Sequence, residues 1–235
     1  MARKTVGVIG GMGPEATAYL FLKIVRNTPA EVDQDHLHIL IDNDPSVPDR
    51  TDAILHGGVS PLEMLISMGR KLVQMGADFL VMPCNTAHYY IDELRKNLPV
   101  PFLSMMEETL FELKSSFVLG SKVGILATDG TLQAGVYDKV VGKYFELVKP
   151  PAVEQRRVMS AIYDGVKAGN VSYAREILIG VSESLASAGC KVIIEGCTEI
   201  PIAMEGVDVG IPLIDTLEVL ARASVKFATE GGEDA

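Results

Sequence analysis

The chain has 235 residues, with 31 Asp and Glu against 21 Lys and Arg, a formal charge of −10 and 48% hydrophobic content. That length allows one large domain or two small ones, each able to bury a core. An acidic chain with no basic run lacks the clustered cations that a phosphate backbone requires, so nucleic acid and anionic membrane are poor partners. No window approaches the roughly 18 consecutive apolar residues of a spanning helix.

Met1-Ala2-Arg3-Lys4 imitates the start of a signal peptide, but the apolar part stops at Ile9, before glycines and Pro14, and reads as a first strand. Three cysteines, Cys84, Cys190 and Cys197, make no disulfide framework. A reducing, cytoplasmic setting is expected.

Short β-branched runs predict strands at 5–10, 37–41, 78–82, 100–103, 122–127, 145–149, 191–195 and 210–214. Helix-period stretches lie between most of them, at 15–25, 62–75, 87–97, 153–167, 173–188 and 216–228. Alternating β and α elements imply parallel sheets flanked by helices, joined by right-handed crossovers. The expected class is α/β.

The chain also repeats itself. Lys4-Thr5-Val6-Gly7-Val8-Ile9 answers to Ser121-Lys122-Val123-Gly124-Ile125-Leu126, Gly76-Ala77-Asp78 through Cys84 to Gly189-Cys190-Lys191 through Cys197, and Val100-Pro101-Phe102-Leu103 to Ile211-Pro212-Leu213-Ile214. Three blocks in the same order point to two similar lobes of four strands each. The expected lobes are 1–105, which the C-terminal helix 215–235 could complete, and 106–214. A pseudo-two-fold between them would put a cleft where the two carboxyl strand ends face each other. The tail Glu230-Gly231-Gly232-Glu233-Asp234-Ala235 is expected to fray.

Candidate chemistry gathers at Pro83-Cys84-Asn85-Thr86-Ala87-His88, where an apolar strand ends and a helix pattern begins. A helix N-terminus there favours a thiolate, and Asn85 and Thr86 add polar donors. The ordinary role of a free Cys is that of a small buried hydrophobe; the polar company argues otherwise for Cys84. Glu195-Gly196-Cys197-Thr198-Glu199 repeats the arrangement, whereas Cys190, at a strand start, reads as core. Two thiols facing one carbon suit inversion of a stereocentre, since one base must take a proton from one face while an acid delivers one to the other. A thiol with an ordinary pKa near 8.5, which a site can lower, can serve as either.

With those residues in place, a resemblance emerges. Val6-Gly7-Val8-Ile9-Gly10-Gly11-Met12-Gly13-Pro14-Glu15-Ala16-Thr17, Pro48-Asp49-Arg50-Thr51, Pro83-Cys84-Asn85-Thr86-Ala87-His88, Ala127-Thr128-Asp129-Gly130-Thr131 and Gly196-Cys197-Thr198-Glu199-Ile200-Pro201 resemble the motif set of the aspartate/glutamate racemase family, nearest its aspartate racemase branch. The resemblance runs from residue 5 to about 215. It implies cofactor-independent racemisation of an acidic amino acid, aspartate first and glutamate second, in a homodimer; from composition and ligand spacing, neither a metal nor a membrane partner is expected.

Carried over residue by residue, the resemblance makes Cys84 and Cys197 the proton-transfer groups. It makes Asn85, Thr86, Thr198 and Glu199 contacts to the substrate's carboxylate and amino groups. Arg50, followed by Thr51, becomes a carboxylate clamp, Lys167 a second cationic contact, Met12 a lining residue of the first turn, and Thr128 a further substrate contact. Elementary chemistry agrees for the cations, because a dicarboxylate held by an acidic protein needs them and Arg binds a carboxylate bidentately. Fixed donors beside the cysteines would stabilise the enolate-like oxygens that form as the α-proton leaves.

Other readings weigh less. Gly11-Met12-Gly13-Pro14-Glu15-Ala16 fits a dinucleotide fingerprint, but Glu15 puts a carboxylate where a pyrophosphate would dock. A zinc set of Cys84, His88, Cys190 and Cys197 lacks a second closely spaced pair. A Cys-His hydrolase leaves Cys197 idle, and no Lys has a persuasive Schiff-base setting for pyridoxal phosphate. Isomerisation or decarboxylation of a dicarboxylic acid on the same scaffold, or binding of acidic amino acids without turnover, are the remaining alternatives.

Overall fold

The computed structural model describes residues 3–230. All but the first residue of the acidic tail, and the end of the 215–235 segment, lie outside them. The chain divides into two compact units, Met1–Glu108 with Leu217–Ala235, and Thr109–Thr216.

The first unit contains β1 (Val6–Gly10), α1 (Pro14–Asn27), a 3-10 turn (Asp33–Asp35), β2 (Ile39–Asn43), α2 (Arg50–Leu55), α3 (Leu62–Gln74), β3 (Phe79–Val81), a 3-10 turn (Thr86–Tyr90) and α4 (Ile91–Asn97). Its three strands are parallel in the order β2-β1-β3, with Val8 opposite Ile41 on one side and Val81 on the other. β1 is buried along its whole length, as expected of a central parallel strand with both faces covered. A Cβ on Gly7 would crowd Leu80 and Ala77, so only glycine lets β1 lie this close to its neighbours.

α1 begins at a proline, whose fixed φ suits a first helical turn. It buries Ala16, Thr17, Leu20 and Ile24, one face of the helix. α3 covers the sheet with Leu65, Ile66, Met68, Gly69 and Leu72.

The structure departs from the strand expected at 100–103. Residues 100–103 form no named strand; Phe102 makes a single bridge to Leu80 on β3, with Leu80 N–H donating to Pro101 O (2.9 Å) and Leu103 N–H to Leu80 O (3.0 Å). Pro99 and Pro101 carry no N–H and limit any ladder. The first sheet therefore has three strands. β2 also begins two residues later than expected, because its register carries Asp42 and Asn43 alongside Ile9 and Gly10.

The boundary between units falls within α5 (Met105–Ser116). The second unit continues with β4 (Lys122–Ala127), α6 (Asp129–Ala134), α7 (Val136–Val140), β5 (Glu146–Val148), α8 (Ala152–Ser160), a π turn (Ala161–Gly165), a 3-10 turn (Val166–Ala168), α9 (Val171–Ser187), β6 (Val192–Gly196), α10 (Ile200–Met204) and β7 (Leu213–Asp215). The sheet order is β5-β4-β6-β7, all parallel. Each unit thus places its first strand between its second and third, which is the structural form of the repeat seen in the sequence.

The chain returns to the first unit through α11 (Thr216–Glu230). Phe227 packs against Phe79 of β3 in a tilted arrangement with ring centroids 4.8 Å apart, and Lys4 Nζ lies 4.1 Å from the Phe227 centroid. Among the described residues no helix is long and apolar enough to cross a membrane.

Candidate active site

In both units the candidate residues collect at the carboxyl ends of the strands, where ligands of open parallel sheets bind. The first turn, after β1, is built around Thr17. Its hydroxyl accepts the Gly11 N–H (3.0 Å) and donates to Gly13 O (3.1 Å). Gly11 has φ +96°, and a Cβ there would fall on the Asp44 backbone. Gly11 therefore serves local packing, and its N–H is committed to Thr17 rather than offered to a phosphate. The turn presents Met12, which is buried in one core cluster with Val47 and Cys84.

Asp49 caps α2 by accepting the Asp52 N–H (2.8 Å), which sets the helix start at Arg50. Arg50 Nη1 donates to Val47 O (3.2 Å) and Pro48 O (3.0 Å), and Thr51 is half-buried on the same helix. α2 packs against the 3-10 turn that follows Cys84. Cys84, Asn85 and Thr86 are all buried.

The helix expected from residue 87 is in fact a 3-10 turn leading into α4. Cys84 accordingly precedes a short 3-10 segment, which offers less dipole than an α-helix would. His88, on that segment, is 3% exposed. Its Nε2 receives the Met105 N–H (3.1 Å), and its Nδ1 lies 2.8 Å from Cys84 O. A backbone N–H can only donate, so Nε2 is the bare nitrogen and Nδ1–H is the donor to Cys84 O. Burial lowers the His88 pKa to about 4, and the positive Arg95 nearby adds to the fall. With both nitrogens committed, His88 is no metal ligand, and Cys190 and Cys197 flank opposite ends of β6.

In the second unit Cys197 follows β6 directly and is buried with Thr198 and Glu199. Its thiol donates to Glu199 Oε2 (2.9 Å), which also accepts the Thr198 hydroxyl (3.3 Å). Lys167 Nζ lies 3.9 Å from Glu199 Oε1 and 4.4 Å from the centroid of the Tyr163 ring. Burial pushes the Cys197 thiol well above its ordinary range; the Glu199 carboxylate adds to the rise and Lys167 opposes it. Here the general expectation that the site would ease ionisation is reversed, because burial and an adjacent carboxylate both disfavour a second negative charge.

Lys167 itself does not end a continuous helix, as the sequence led one to expect. The helix breaks into the π turn and then a 3-10 turn stopped by Gly169, at φ +80°. Within the π turn Gly165 packs on Ala174, where a Cβ would stand 2.7 Å from that of Ala174. Irregular turns of this kind recur at functional sites.

Thr128, just past β4, caps α6 by accepting the Thr131 N–H (3.1 Å). Gln155 fastens the same loop, its Nε2 donating to Ala127 O (3.0 Å) and Asp129 Oδ1 (2.8 Å). The buried Tyr137 hydroxyl bonds the side chains of Thr109 and Thr216, and burial raises its pKa beyond the usual phenol range. Thr216 Oγ1 in turn donates to Glu195 O (2.9 Å), two residues before Cys197. No spacing rule marks Gln155 or Tyr137, because each acts from one element on residues distant in sequence, whereas Tyr163 stands four residues before Lys167, a helical spacing that could have paired the two.

The structure therefore groups Met12, Arg50, Thr51, Cys84, Asn85 and Thr86 at one end of the first sheet. It groups Thr128, Lys167, Cys197, Thr198 and Glu199 at the same end of the second.

Comparison with known proteins gives this arrangement a context. The chain is 28% identical over 225 residues to the broad specificity amino-acid racemase RacX of Bacillus subtilis, covering 94% of this chain and 96% of that one. An aspartate racemase of Picrophilus torridus superimposes with a TM-score of 0.86 at 34% identity, covering 96% of this chain and 94% of its own. A glutamate racemase of Bacillus anthracis shares the fold at 17% identity, with a TM-score of 0.69 over 98% of this chain and 83% of that one. The Asp/Glu/Hydantoin racemase family model matches residues 9–224. A duplicated parallel α/β chain with a cysteine after the third strand of each unit, matched over nearly its whole length, belongs to the Asp/Glu/hydantoin racemase family.

Proposed function

We propose that this cofactor-independent amino-acid racemase acts on an acidic amino acid, aspartate before glutamate, with Cys84 and Cys197 as its two proton-transfer groups. One observation carries the reading: each repeat places a buried cysteine at the carboxyl end of its third strand, followed by buried polar residues, Asn85-Thr86 after one and Thr198-Glu199 after the other.

The proton balance is simple. A thiolate at Cys84 removes the α-proton from one face, and the thiol of Cys197 delivers its proton to the other. The product leaves Cys84 as thiol and Cys197 as thiolate, the form that acts on the opposite enantiomer. The depressed acidity of Cys197, which donates to Glu199, supports its starting as the acid.

Asn85, Thr86, Thr198 and neighbouring backbone N–H groups would stabilise the negative charge that develops on the α-carboxylate. Arg50 would clamp a substrate carboxylate, and Lys167 would supply positive charge beside Glu199. Met12, Thr51 and Thr128 complete the contacts. The same reading has the protein work as a homodimer in the cytoplasm; three free thiols support a reducing compartment.

The test is incubation of the purified, reduced chain with each enantiomer of aspartate and glutamate, followed by chiral chromatography. Every active substrate should approach an equal mixture. One methylene is worth about 1–3 kcal/mol in a fitted pocket, or roughly 10–200-fold in rate, so aspartate should lead by a factor in that range. Four substrates recovered with their configuration intact would overturn the reading.

A further inference from the structure

We infer that His88 is a positioning residue for Cys84, and that the bond from its Nδ1–H to the Cys84 carbonyl is the one that matters. The inference rests in part on the proposed role of Cys84, while its geometry stands independently. His88 reaches the main chain at both ends. Its Nδ1–H holds Cys84 O at 2.8 Å, and its Nε2 holds the Met105 N–H at 3.1 Å, where α5 begins.

Cys84 also makes a tight backbone contact on its other side, its N–H donating to Met82 O (2.8 Å). The peptide groups on both sides of the Cys84 Cα are thus fixed, which leaves the thiol only its own side-chain rotation. The charged groups near the ring are Arg95 and Glu107. Those two pair with each other at 2.7 Å, and Arg95 also donates to Phe102 O (2.9 Å). Neither is hydrogen-bonded to the imidazole, so the ring acts as a neutral bracket between two backbone groups.

A purely structural histidine would be missed in proportion to the stability it supplies. A positioning histidine would be missed at one thiol. Two amide replacements separate these cases, because each keeps one half of the bracket. His88→Asn retains an N–H donor at the position of Nδ1, facing Cys84 O. His88→Gln retains an acceptor at the position of Nε2, facing the Met105 N–H. Both lose one buried hydrogen bond, so their melting temperatures should fall by similar amounts.

The measurements are site-resolved alkylation by iodoacetamide, followed by peptide mass spectrometry, and racemisation kinetics on the same preparations. His88→Gln should change the Cys84 alkylation rate at least fivefold with Cys197 unchanged. It should lower kcat at least tenfold while KM stays within threefold. His88→Asn should stay within threefold of the parent in every rate. Equal kinetic losses in the two variants, a parallel change at Cys197, or no change at Cys84 would overturn the inference. If the parent chain racemises no acidic amino acid, the proposed function fails, yet the alkylation rates still decide the role of His88.

Discussion

His88 also makes a prediction about stability. Its imidazole is fully buried and neutral, with a pKa of about 4 against an ordinary 6.5. In the unfolded chain it protonates near the ordinary value, so below pH 6.5 the unfolded state takes up a proton that the native state refuses. Native stability from this group is therefore complete above pH 6.5 and is lost as pH falls, with no further loss below about 4. At about 1.4 kcal/mol for each tenfold in proton affinity, the full loss is about 3 kcal/mol, of which about 2 kcal/mol is gone by pH 5.

The perturbation is His88→Gln, which removes the titrating group and keeps one hydrogen bond. Urea unfolding of parent and variant at intervals from pH 7.5 to 4 isolates the effect, since other acid-titrating groups such as Glu107, whose carboxyl the Arg95 contact holds low, contribute to both curves. The variant should be the less stable protein at pH 7.5, and the gap should close by about 3 kcal/mol on acidification. Parallel curves, or a gap that widens toward acid, would refute a buried neutral imidazole.

Glu199 and Lys167 act on Cys197 in opposite directions. Glu199→Gln should move the pH midpoint of Cys197 alkylation downward and Lys167→Met should move it upward, and shifts of the same sign would contradict the charge arrangement. Gly11→Ala puts a Cβ onto the Asp44 backbone at a positive φ; denaturant unfolding should show a loss of about 1–3 kcal/mol or more, and an unaltered midpoint would refute the packing. Arg50→Lys removes the planar fork that suits a carboxylate, so KM for aspartate should rise about tenfold or more with kcat little changed. A fall in kcat at constant KM would show that Arg50 does not act as a ground-state clamp.

The α/β class was legible because it rests on local signals: apolar runs such as 122–127, a proline opening α1, and helical spacing in α3. The repeat gave the two cysteines matching positions, Cys84 three residues past the end of β3 and Cys197 directly past β6. Legibility failed where distant contacts decide. Prolines on either side of Val100 thinned a fourth strand to one bridge, and the packing of Gly165 on Ala174 accompanies the break in a helix expected to run to Lys167. The acidity of Cys197 was equally invisible, because the sequence places Glu199 two residues away without showing that its carboxylate turns back to the thiol. His88 was visible as a histidine of the 87–97 helical stretch, but its partner Met105 lies 17 residues on, beyond any spacing rule.

The central claim is that one cysteine from each repeat serves opposite faces of the same carbon. The direct measurement is proton NMR of L- and D-aspartate in D₂O with the parent chain, Cys84→Ser and Cys197→Ser, followed by chiral analysis. The parent should incorporate solvent deuterium at the α-carbon and form both enantiomers, while each serine variant should lose racemisation by several orders of magnitude. Full turnover surviving the loss of either thiol would contradict the two-cysteine account.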